Sequence, residues 1–403
     1  MNTPKIRFKG FTDDWEQRKF KELCDMVTVG IANSATHAYS DSGVVMFRNQ
    51  NIKPNFLDDT DIIHINSEFE VKYKNKRLKK NDLLVARTGY PGTACVVPEK
   101  YENSQTFTTL IARPNENVDP YFLCQYLNSD IGIKYFESTQ IGGGQKNSGA
   151  GILNEMPVTL PSTIEEEKKI GDYFRTLDHL ITLHQRKCDE TKQLKKFMLQ
   201  KMFPKNGEKN PEIRFEGFTD DWEQRKFSEL YAKSSEKNDG SIGMDKNITV
   251  ATMQFKEDVK VSTAEYLKTY YTFNLGDIAF EGHQSKEFRY GRFVENDIGN
   301  GIVSHIFAVF RPIREYDLHF WKYAINNEAL MQRILSRSTK ASTMMHDLVT
   351  NDFLNETFLV PSLDEQRRIG VFLDTLDHLI TLHQRKCEKL KELKKFMLQN
   401  MFV

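Results

Sequence analysis

The chain has 403 residues, of which 39% are hydrophobic and 28% charged, and 56 basic residues balance 56 acidic ones. This composition describes a globular protein of two or three domains. No apolar run approaches the roughly 20 residues of a membrane-spanning helix, and MNTPKIRFKGFTDDWEQ lacks the apolar core of a signal peptide, so we expect a cytoplasmic protein. A nucleic-acid binder of zero net charge must gather its basic residues on one face.

Five cysteines, an odd number, are scattered along the sequence without a CxxC pair. This spacing argues against a disulfide framework and against a zinc site, and the sequence contains no clear acidic cluster for another metal. We therefore predict no bound metal, and reduced, mostly buried thiols at Cys24, Cys95, Cys124, Cys188 and Cys387.

Near its start the chain contains PKIRFKGFTDDWEQRKFKEL (4–23), which returns as PEIRFEGFTDDWEQRKFSEL (211–230) with 17 of 20 positions identical. We call these two segments the head repeats. The block that follows, residues 24–160, mixes short β-rich runs with polar loops, which predicts an α+β domain. The elements predicted in it are strands at Val44–Arg48, Leu83–Arg87 and Ala94–Val97 and a short helix at Pro120–Leu127.

Basic, aromatic and amide side chains are concentrated in three stretches of this block: VKYKNKRLKK (71–80), RTGYPGT (87–93) and GGGQKNSGAG (142–151). Contacts to DNA phosphates and base edges require such side chains on exposed loops, although any single one is more often an ordinary solvated residue. The candidate DNA contacts in this block are Lys76, Arg77, Arg87, Thr88, Tyr90, Gln145, Lys146 and Asn147.

Helical sequence begins after LPS (160–162) and again after VPS (360–362), and both copies contain TLDHLITLHQRKC, at 176–188 and 375–387. We call these thirteen-residue segments the helical repeats. Ser162 with Glu165 matches a capping box, as does Ser362 with Glu365. Apolar residues then recur at spacings of three and four, as in a coiled-coil seam. Each helix is expected to run for about 38 residues, or roughly 57 Å.

Neither helix is stable alone in water, and each copy has the other as its natural mate, so we expect antiparallel pairing about a pseudo-twofold. His184 and His383 are then packed seam residues rather than ligands, and charges such as Lys195 form a solvated surface. The residues expected to pair the helices are Ile170, Phe174, Leu177, Ile181, Ile369, Leu373, Leu376 and Ile380.

The second block, residues 231–360, shares only scattered phrases with the first, such as NLGDIAFE with KKNDLLVA and FRP with ARP. It is also predicted to be α+β, with strands at Ile278–Glu281, Arg292–Val294 and Ile306–Phe310 and helix within Leu318–Arg333. Its basic and aromatic loops are EGHQSKEFRYGRF (281–293) and RSTKASTMMH (337–346). The candidate DNA contacts here are His283, Gln284, Lys286, Arg289, Tyr290, Arg292, Arg337 and Lys340.

Known catalytic motifs are missing from the sequence. GGGQKNSG lacks the spacing of a phosphate-binding loop, and VDPYFL (118–123) lacks one proline of the D-P-P-Y motif of amino-methyltransferases. There is no G-x-G-x-x-G, H-E-x-x-H or G-x-S-x-G. We therefore predict a chain with no catalytic residues of its own, unless scattered residues assemble a site.

The duplicated layout resembles the specificity subunits of Type I restriction–modification systems over essentially the whole chain. The resemblance rests on WEQRKF in each head repeat, on the helix entries LPSTIEEEKKIGDYF and VPSLDEQRRIGVFL, and on the strand phrases NDLLVARTG and LGDIAFEG. The entry P-x-x-x-E-Q-x-x-I is intact in the second copy, from Pro361 to Ile369. The first copy departs from it, because Glu166 or Glu167 replaces the glutamine and one extra residue is present.

This resemblance implies two target-recognition domains, each reading one half of a split DNA site, separated by helices that fix the gap. The implied partners are double-stranded DNA, two modification methyltransferase subunits and restriction subunits with translocase activity. The implied cofactors belong to those partners: S-adenosylmethionine to the modification subunit, and ATP and Mg to the restriction subunit. The corresponding segments are a first recognition domain at 1–160, a helical spacer at 161–205, a second recognition domain at 206–360 and a second spacer at 361–403.

Three alternatives remain open from the sequence. A stand-alone DNA-binding regulator or architectural protein would bind DNA with full affinity and without a methyltransferase. An enzyme assembled from scattered residues would methylate or cleave DNA alone, and a protein-only scaffold would have no salt-sensitive DNA affinity. The near-identical repeats around divergent blocks favour the specificity subunit, because exchange of the middle blocks explains both features.

Overall fold

The computed structural model describes residues 3–33, 35–139, 149–205, 207–257, 263–342 and 345–403. The chain divides into two compact units. Unit 1 comprises Met1–Gln185 with Gln384–Val403, and unit 2 comprises Arg186–His383. Each unit therefore contains one divergent block together with the beginning of one long helix and the end of the other.

Unit 1 is built from twelve strands and four short helices among its described residues, together with parts of α5 and α11. The strands are β1 Glu16–Lys19, β2 Cys24–Val29, β3 Tyr39–Ser40, β4 Val44–Arg48, β5 Ile52–Lys53, β6 Phe56–Leu57, β7 Ile63–Ile65, β8 Leu83–Val85, β9 Ala94–Val96, β10 Gln105–Phe107, β11 Leu110–Pro114 and β12 Pro157–Leu160. The helices are α1 Ser67–Val71, α2 Pro120–Leu127, α3 Asp130–Ser138, α4 Ala150–Asn154 and the long α5 Ile164–Lys201.

The described part of unit 2 also has twelve strands, with five short helices, and shares both long helices with unit 1. Its strands are β13 Glu223–Lys226, β14 Tyr231–Ser234, β15 Ile248–Thr249, β16 Gln254–Phe255, β17 Tyr271–Phe273, β18 Ile278–Glu281, β19 Arg292–Glu295, β20 Gly301–Val303, β21 Ala308–Pro312, β22 Thr339–Ala341, β23 His346–Leu348 and β24 Thr357–Val360. Its helices are α6 Phe227–Leu230, α7 Ala264–Leu267, α8 Leu318–Ala324, α9 Glu328–Ser338, α10 Thr350–Asn355 and the long α11 Leu363–Met401.

Each unit has a core sheet of four antiparallel strands in the same order. The order is β2-β11-β8-β9 in unit 1 and β14-β21-β18-β19 in unit 2. The end of each head repeat adds a further strand pair, β1 with β12 and β13 with β24. Smaller sheets differ between the units: unit 1 carries a second four-stranded sheet, β10-β4-β7-β3, whereas unit 2 has two-stranded ones.

The phrases that the two blocks share form a buried ion pair in each core sheet. Arg113 of the phrase ARP contacts Asp82 at 2.8 Å, and Arg311 of FRP contacts Asp277 at 3.0 Å. Both carboxylates are 1% exposed. Removing one partner of such a pair would leave an uncompensated buried charge, which accounts for the reappearance of these few residues in otherwise divergent blocks.

Aromatic residues build the same core in both units. In unit 1, Trp15 of the head repeat packs on Phe122 of α2, and Phe402 beyond α11 packs on Phe122 and Phe174. In unit 2 the corresponding rings are Trp222, Phe320 and Phe203. The end of α11 thus supplies Phe402 to the core of unit 1, and the end of α5 supplies Phe203 to the core of unit 2.

The antiparallel register determines which loops meet at each end of a core sheet. Leu110 at the start of β11 pairs with Val29 and Val85, so the β8–β9 loop (86–93) and the β10–β11 junction lie at one end. We call this the loop end. The opposite end joins the head repeat, where Asn115 N–H donates to Leu23 O at 3.0 Å. In unit 2 the loop end carries residues 282–291 and the turn 304–307.

The predicted α+β fold with two long helices is confirmed. The strands Val44–Arg48 and Ile278–Glu281 and the helix Pro120–Leu127 have the predicted bounds, and the long helices have 38 and 39 residues. The other predicted bounds differ from the structure. β8 and β9 end at Val85 and Val96 rather than at Arg87 and Val97, and β19 continues to Glu295. Ile306 lies in a turn before β21, and helix 318–333 is broken because Asn327 caps a new helix, accepting from Ala329 N–H at 3.1 Å.

Candidate nucleic-acid interface and its helical support

The β8–β9 loop brings three of the predicted contacts to the loop end of unit 1. Arg87 and Thr88 are half-buried, and Tyr90 at the tip is 85% exposed. The Arg87 N–H donates to Asn49 Oδ1 at 2.7 Å, which ties the loop to the neighbouring sheet. This loop offers a cation, a hydroxyl and an aromatic ring on a fixed backbone.

Two other predicted contacts of unit 1, Lys76 and Arg77, are engaged within the protein. Lys76 Nζ donates to Gly30 O at 3.0 Å. Arg77 donates to both oxygens of Glu70, at 2.7 and 2.6 Å, and Glu70 is 1% exposed. This ion pair lowers the pKa of Glu70 below its usual range. Lys80 also contacts Glu99 at 2.8 Å, so three of the six cations in the basic run 71–80 are engaged within unit 1.

In unit 2 the two stretches singled out in the sequence lie side by side. The loop 282–291 is joined to the β22–β23 hairpin by a hydrogen bond from His346 N–H to Gly282 O at 2.8 Å and by a β-bridge between His283 and Met345. Gln284, Lys286 and Lys340 are exposed on this surface. Across the described residues, neither of these two lysines takes part in a salt bridge, so both ammonium groups are available to phosphates.

The remaining predicted contacts of unit 2 differ in whether their side chains form ion pairs within the unit. Arg289 and Tyr290 stack on each other with the guanidinium 5.6 Å from the ring centre, and Tyr290 also meets the ring of His346 edge-on. Arg292 is paired with Glu281 at 2.8 Å, and Arg337 is paired with Glu356. The first two are placed for contact at the surface, whereas the last two arginines hold unit 2 together.

Gln145, Lys146 and Asn147 lie in residues 140–148, outside the described part of the chain. In sequence this segment precedes α4 as the β22–β23 hairpin precedes α10 in unit 2. Their assignment as DNA contacts stays a prediction, as does that of the other candidate residues.

The head repeats are attached to the long helices by equivalent ion pairs. Arg7 donates to both oxygens of Glu166 at 2.7 and 2.8 Å, and Arg214 donates to both oxygens of Glu365 at 2.7 Å. Both carboxylates are 1% exposed. The predicted capping boxes are therefore wrong in part: Glu365 faces Arg214 rather than turning back to the helix start, and its counterpart is Glu166, not Glu165.

The next helical position holds glutamate in unit 1 and glutamine in unit 2. Glu167 accepts from Asp119 N–H at 2.7 Å, and Gln366 accepts from Asp317 N–H at 3.2 Å. The Gln366 amide also donates to Pro361 O at 3.1 Å. Burial raises the pKa of the Glu167 carboxyl to about 8. At neutral pH the two units thus both carry a neutral side chain at this junction.

Each unit contains an antiparallel pairing of the two helices. In unit 1 the thiol of Cys387 lies 3.9 Å from Ile181 O, and in unit 2 that of Cys188 lies 3.9 Å from Ile380 O. Ile181, Ile380, His184 and His383 are half-buried at these positions. The other residues predicted to pair the helices are buried in the core of their unit, namely Ile170, Phe174, Leu177, Ile369, Leu373 and Leu376.

Ion pairs between the helices replace part of the solvated surface that the sequence predicts. Lys195 Nζ contacts Asp377 at 2.6 Å in unit 2, and Lys394 contacts Asp178 in unit 1. The expectation that Lys195 is simply solvated is therefore wrong. The identical TLDHL and LKK motifs of the two copies supply both pairs, so the same sequence pairs with itself in the antiparallel direction.

The thiol prediction is confirmed: all five cysteines are free, four are buried and Cys24 is partly buried. Burial raises the pKa of the Cys124 thiol to about 12. Within the described ranges, no three histidine, cysteine, aspartate or glutamate side chains gather as a metal site would require. Among those same residues, no helix has the length and apolar character needed to cross a membrane.

The comparison with protein families decides where this architecture belongs. The family model for the Type I restriction modification DNA specificity domain matches twice, at residues 12–193 and 219–392. The chain is a member of this family. Each match starts in a head repeat and extends through one divergent block into a long helix.

Relatives and solved structures agree with this assignment. Over 343 residues the chain is 23% identical to the Type I restriction enzyme MjaVIII specificity subunit of Methanocaldococcus jannaschii, covering 81% of this chain and 79% of that protein. It is 24% identical to the putative MjaX specificity subunit of the same organism over 51% of this chain, a match that spans only 49% of the relative's length. The crystal structure of the Type-I restriction-modification system S subunit from M. genitalium has the same fold, with a TM-score of 0.61, 13% identity and coverage of 100% of this chain and 99% of that one.

Sequence reasoning missed two features of the site. The turn 304–307 at the loop end of unit 2 contains no lysine or arginine, and the sequence predicts a strand from Ile306 onwards, so this turn was not selected. The anchoring pair of Arg7 with Glu166 was also missed, although the identical phrase IRF at 6–8 and 213–215 marks both arginines as part of the shared scaffold.

Proposed function

We propose that the chain is the specificity subunit of a Type I restriction–modification complex, and that each unit reads one half of a bipartite DNA site. The observation that carries this proposal is the contrast within each unit. Core sheet, anchoring ion pairs and helix pairs are repeated, whereas the loop ends have almost no side chains in common. A scaffold present twice suits identical partners, and two different loop ends suit two different half-sites.

The long helices would set the gap between the half-sites. Two readers on one face of a duplex are spaced by about one turn, near 34–36 Å, or a multiple of it. A helix of roughly 57 Å spans such a distance. Inserting one helical turn into both helices should lengthen the gap and leave both half-sites unchanged, as read by methylation mapping. An unchanged gap would refute the spacing role.

Two modification subunits would dock on the helical repeats. Just beyond these repeats, identical apolar side chains of the segment LKKFMLQ (194–200 and 393–399) are solvent-exposed, at 42% for Leu194, 41% for Leu393, 45% for Phe197 and 52% for Phe396. The partner would supply S-adenosylmethionine and flip out the adenine that is methylated, and restriction subunits would bring ATP and Mg. The chain itself would be non-catalytic, and its DNA target implies a cytoplasmic location.

The decisive experiment exchanges residues 24–160 for the corresponding block of another specificity subunit, co-expresses the chain with modification subunits, and maps methyladenine by long-read sequencing. A split motif that changes in one half only, and disappears on deletion of the chain, is the expected result. A change in both halves would contradict the modular reading. DNA binding at full affinity without any methyltransferase would instead favour a stand-alone regulator.

A further inference from the structure

Two side chains stand out by their exposure. Among the large hydrophobic residues described, Tyr90 and Ile306 are the most exposed, at 85% and 73%. Single exposed apolar residues are common on protein surfaces. These two, however, both lie at the loop end of the core sheet of their unit. Tyr90 is in the β8–β9 loop (86–93), and Ile306 is in the turn 304–307 before β21, which corresponds to the β10–β11 junction of unit 1.

The tip that carries Tyr90 is held rigidly. Gly92 N–H donates to Ala86 O at 3.0 Å, and Thr93 N–H donates to Tyr90 O at 3.2 Å. Gly92 has a φ of +92° and rests on Phe136, where a Cβ would lie 2.2 Å from the ring. Little backbone entropy therefore remains to be lost when this tip meets a partner.

Ile306 occupies a tight turn closed by Phe307 N–H, which donates to Ser304 O at 3.1 Å. Turn positions are usually glycine, asparagine, aspartate, proline or serine, so turn formation does not explain a β-branched apolar residue here. Phe307 packs against the apolar cluster of the core sheet and fixes the turn from inside. The isoleucine is therefore presented outward on a fixed backbone, as the tyrosine is in unit 1.

We propose that Tyr90 and Ile306 are the apolar base contacts of the two half-sites, one from each unit. The inference rests on the proposed function, since it needs DNA at the loop ends. Cations nearby, such as Lys286 and Lys340 in unit 2, attract phosphates but carry little sequence information. The duplex offers apolar surface in two forms, the thymine methyl group and the face of a base at an opened step. An apolar side chain can pack against either of them.

The test measures DNA affinity of the complex with modification subunits, over a series of salt concentrations, on a duplex carrying its methylated motif. Tyr90→Ala should weaken binding by about tenfold or more, as loss of a base–aromatic contact does, and Tyr90→Phe should stay within about twofold. Ile306→Ala should weaken binding by about fivefold, and Ile306→Leu should restore it. None of these variants should change the slope of log K against log salt, whereas Lys340→Ala should reduce that slope by about one.

Two modified duplexes then identify the apolar surface. Deoxyuridine in place of thymidine in one half-site removes the methyl group. If the wild-type side chain contacts that methyl group, the wild type should then bind no more tightly than its alanine variant. A 2-aminopurine probe should brighten with the wild type, and not with Tyr90→Ala, if the ring opens a base step. A response in neither duplex would overturn the base contact.

The outcomes separate this inference from the proposed function. If Tyr90→Ala and Ile306→Ala bind as the wild type does, while Lys340→Ala is weakened, the base-contact inference fails and DNA recognition stands. If the wild-type complex has no salt-sensitive affinity for the duplex, both fail. Because both side chains are exposed, melting temperatures of the variants should equal that of the wild type, which excludes misfolding as the cause of any loss.

Discussion

Unit 1 and unit 2 hold their scaffolds together with the same three kinds of ion pair, yet their loop ends have hardly a side chain in common. The anchoring, core-sheet and interhelical pairs recur at equivalent positions. Tyr90 at one loop end is matched by a longer loop with Lys286 and Arg289 at the other. The difference teaches that the contacts common to both units lie in the scaffold, whereas the side chains that differ and are available to a target lie at the loop ends.

The largest effect is expected from the aromatic core that closes each unit. Phe402→Ala should destabilise unit 1 by roughly 3–5 kcal/mol, and Phe203→Ala should destabilise unit 2 by a similar amount, because each removes a buried ring and leaves a cavity. Hydrogen exchange resolved by peptide would show protection lost in one unit only. Equal loss in both units from either variant would mean that the units do not fold as separate bodies.

A pH difference between the units should follow from Glu167. Burial raises its pKa in the folded unit to about 8 from the usual 4.5. The stability contributed by the neutral acid is fully present below about pH 4.5 and is lost as the pH rises to about 8. Unit 1 should therefore lose stability across this range, by up to roughly 5 kcal/mol on a scale of about 1.4 kcal/mol per tenfold change in proton affinity.

The matched variants exchange the residues of the two units. Glu167→Gln should remove the loss of unit 1 stability at alkaline pH, and Gln366→Glu should introduce it into unit 2. Thermal unfolding followed between pH 5 and pH 9 measures both. A pH dependence that persists in Glu167→Gln would assign the titration to another group, such as Asp119, whose pKa burial also raises.

The smallest effect is expected from the interhelical ion pairs. Lys195→Ala and Lys394→Ala should each cost about 0.5–1 kcal/mol, because the pairs are partly solvated and screened by salt. Denaturant unfolding at low and high salt gives the measurement. A loss that does not shrink at high salt would show that the aliphatic part of the lysine, and not its charge, provides the stabilisation.

Local signals predicted much of this fold. Asp119 followed by Pro120 marks the start of α2, since the aspartate caps Phe122 N–H at 2.8 Å, and the regular apolar spacing predicted both long helices. The basic run 71–80 predicted exposed DNA contacts that include Arg77, although Arg77 is paired with Glu70. Whether such an arginine faces solvent or a carboxylate depends on tertiary packing, which the local sequence does not contain. Ile306 was missed for the opposite reason: a residue exposed by the fold has no polar signature in the sequence.

The packing of Met401 and Phe402 into unit 1 has a consequence for synthesis on the ribosome. All of unit 2, residues 186–383, is translated before the segment 384–403 that completes the core of unit 1. All of unit 2, about 200 residues, is therefore made before unit 1 can be completed, which at about 5–20 residues per second takes roughly 10–40 seconds. Unit 1, although it is begun first, must wait with part of its apolar core uncovered, and this interval is when a chaperone would be of most use.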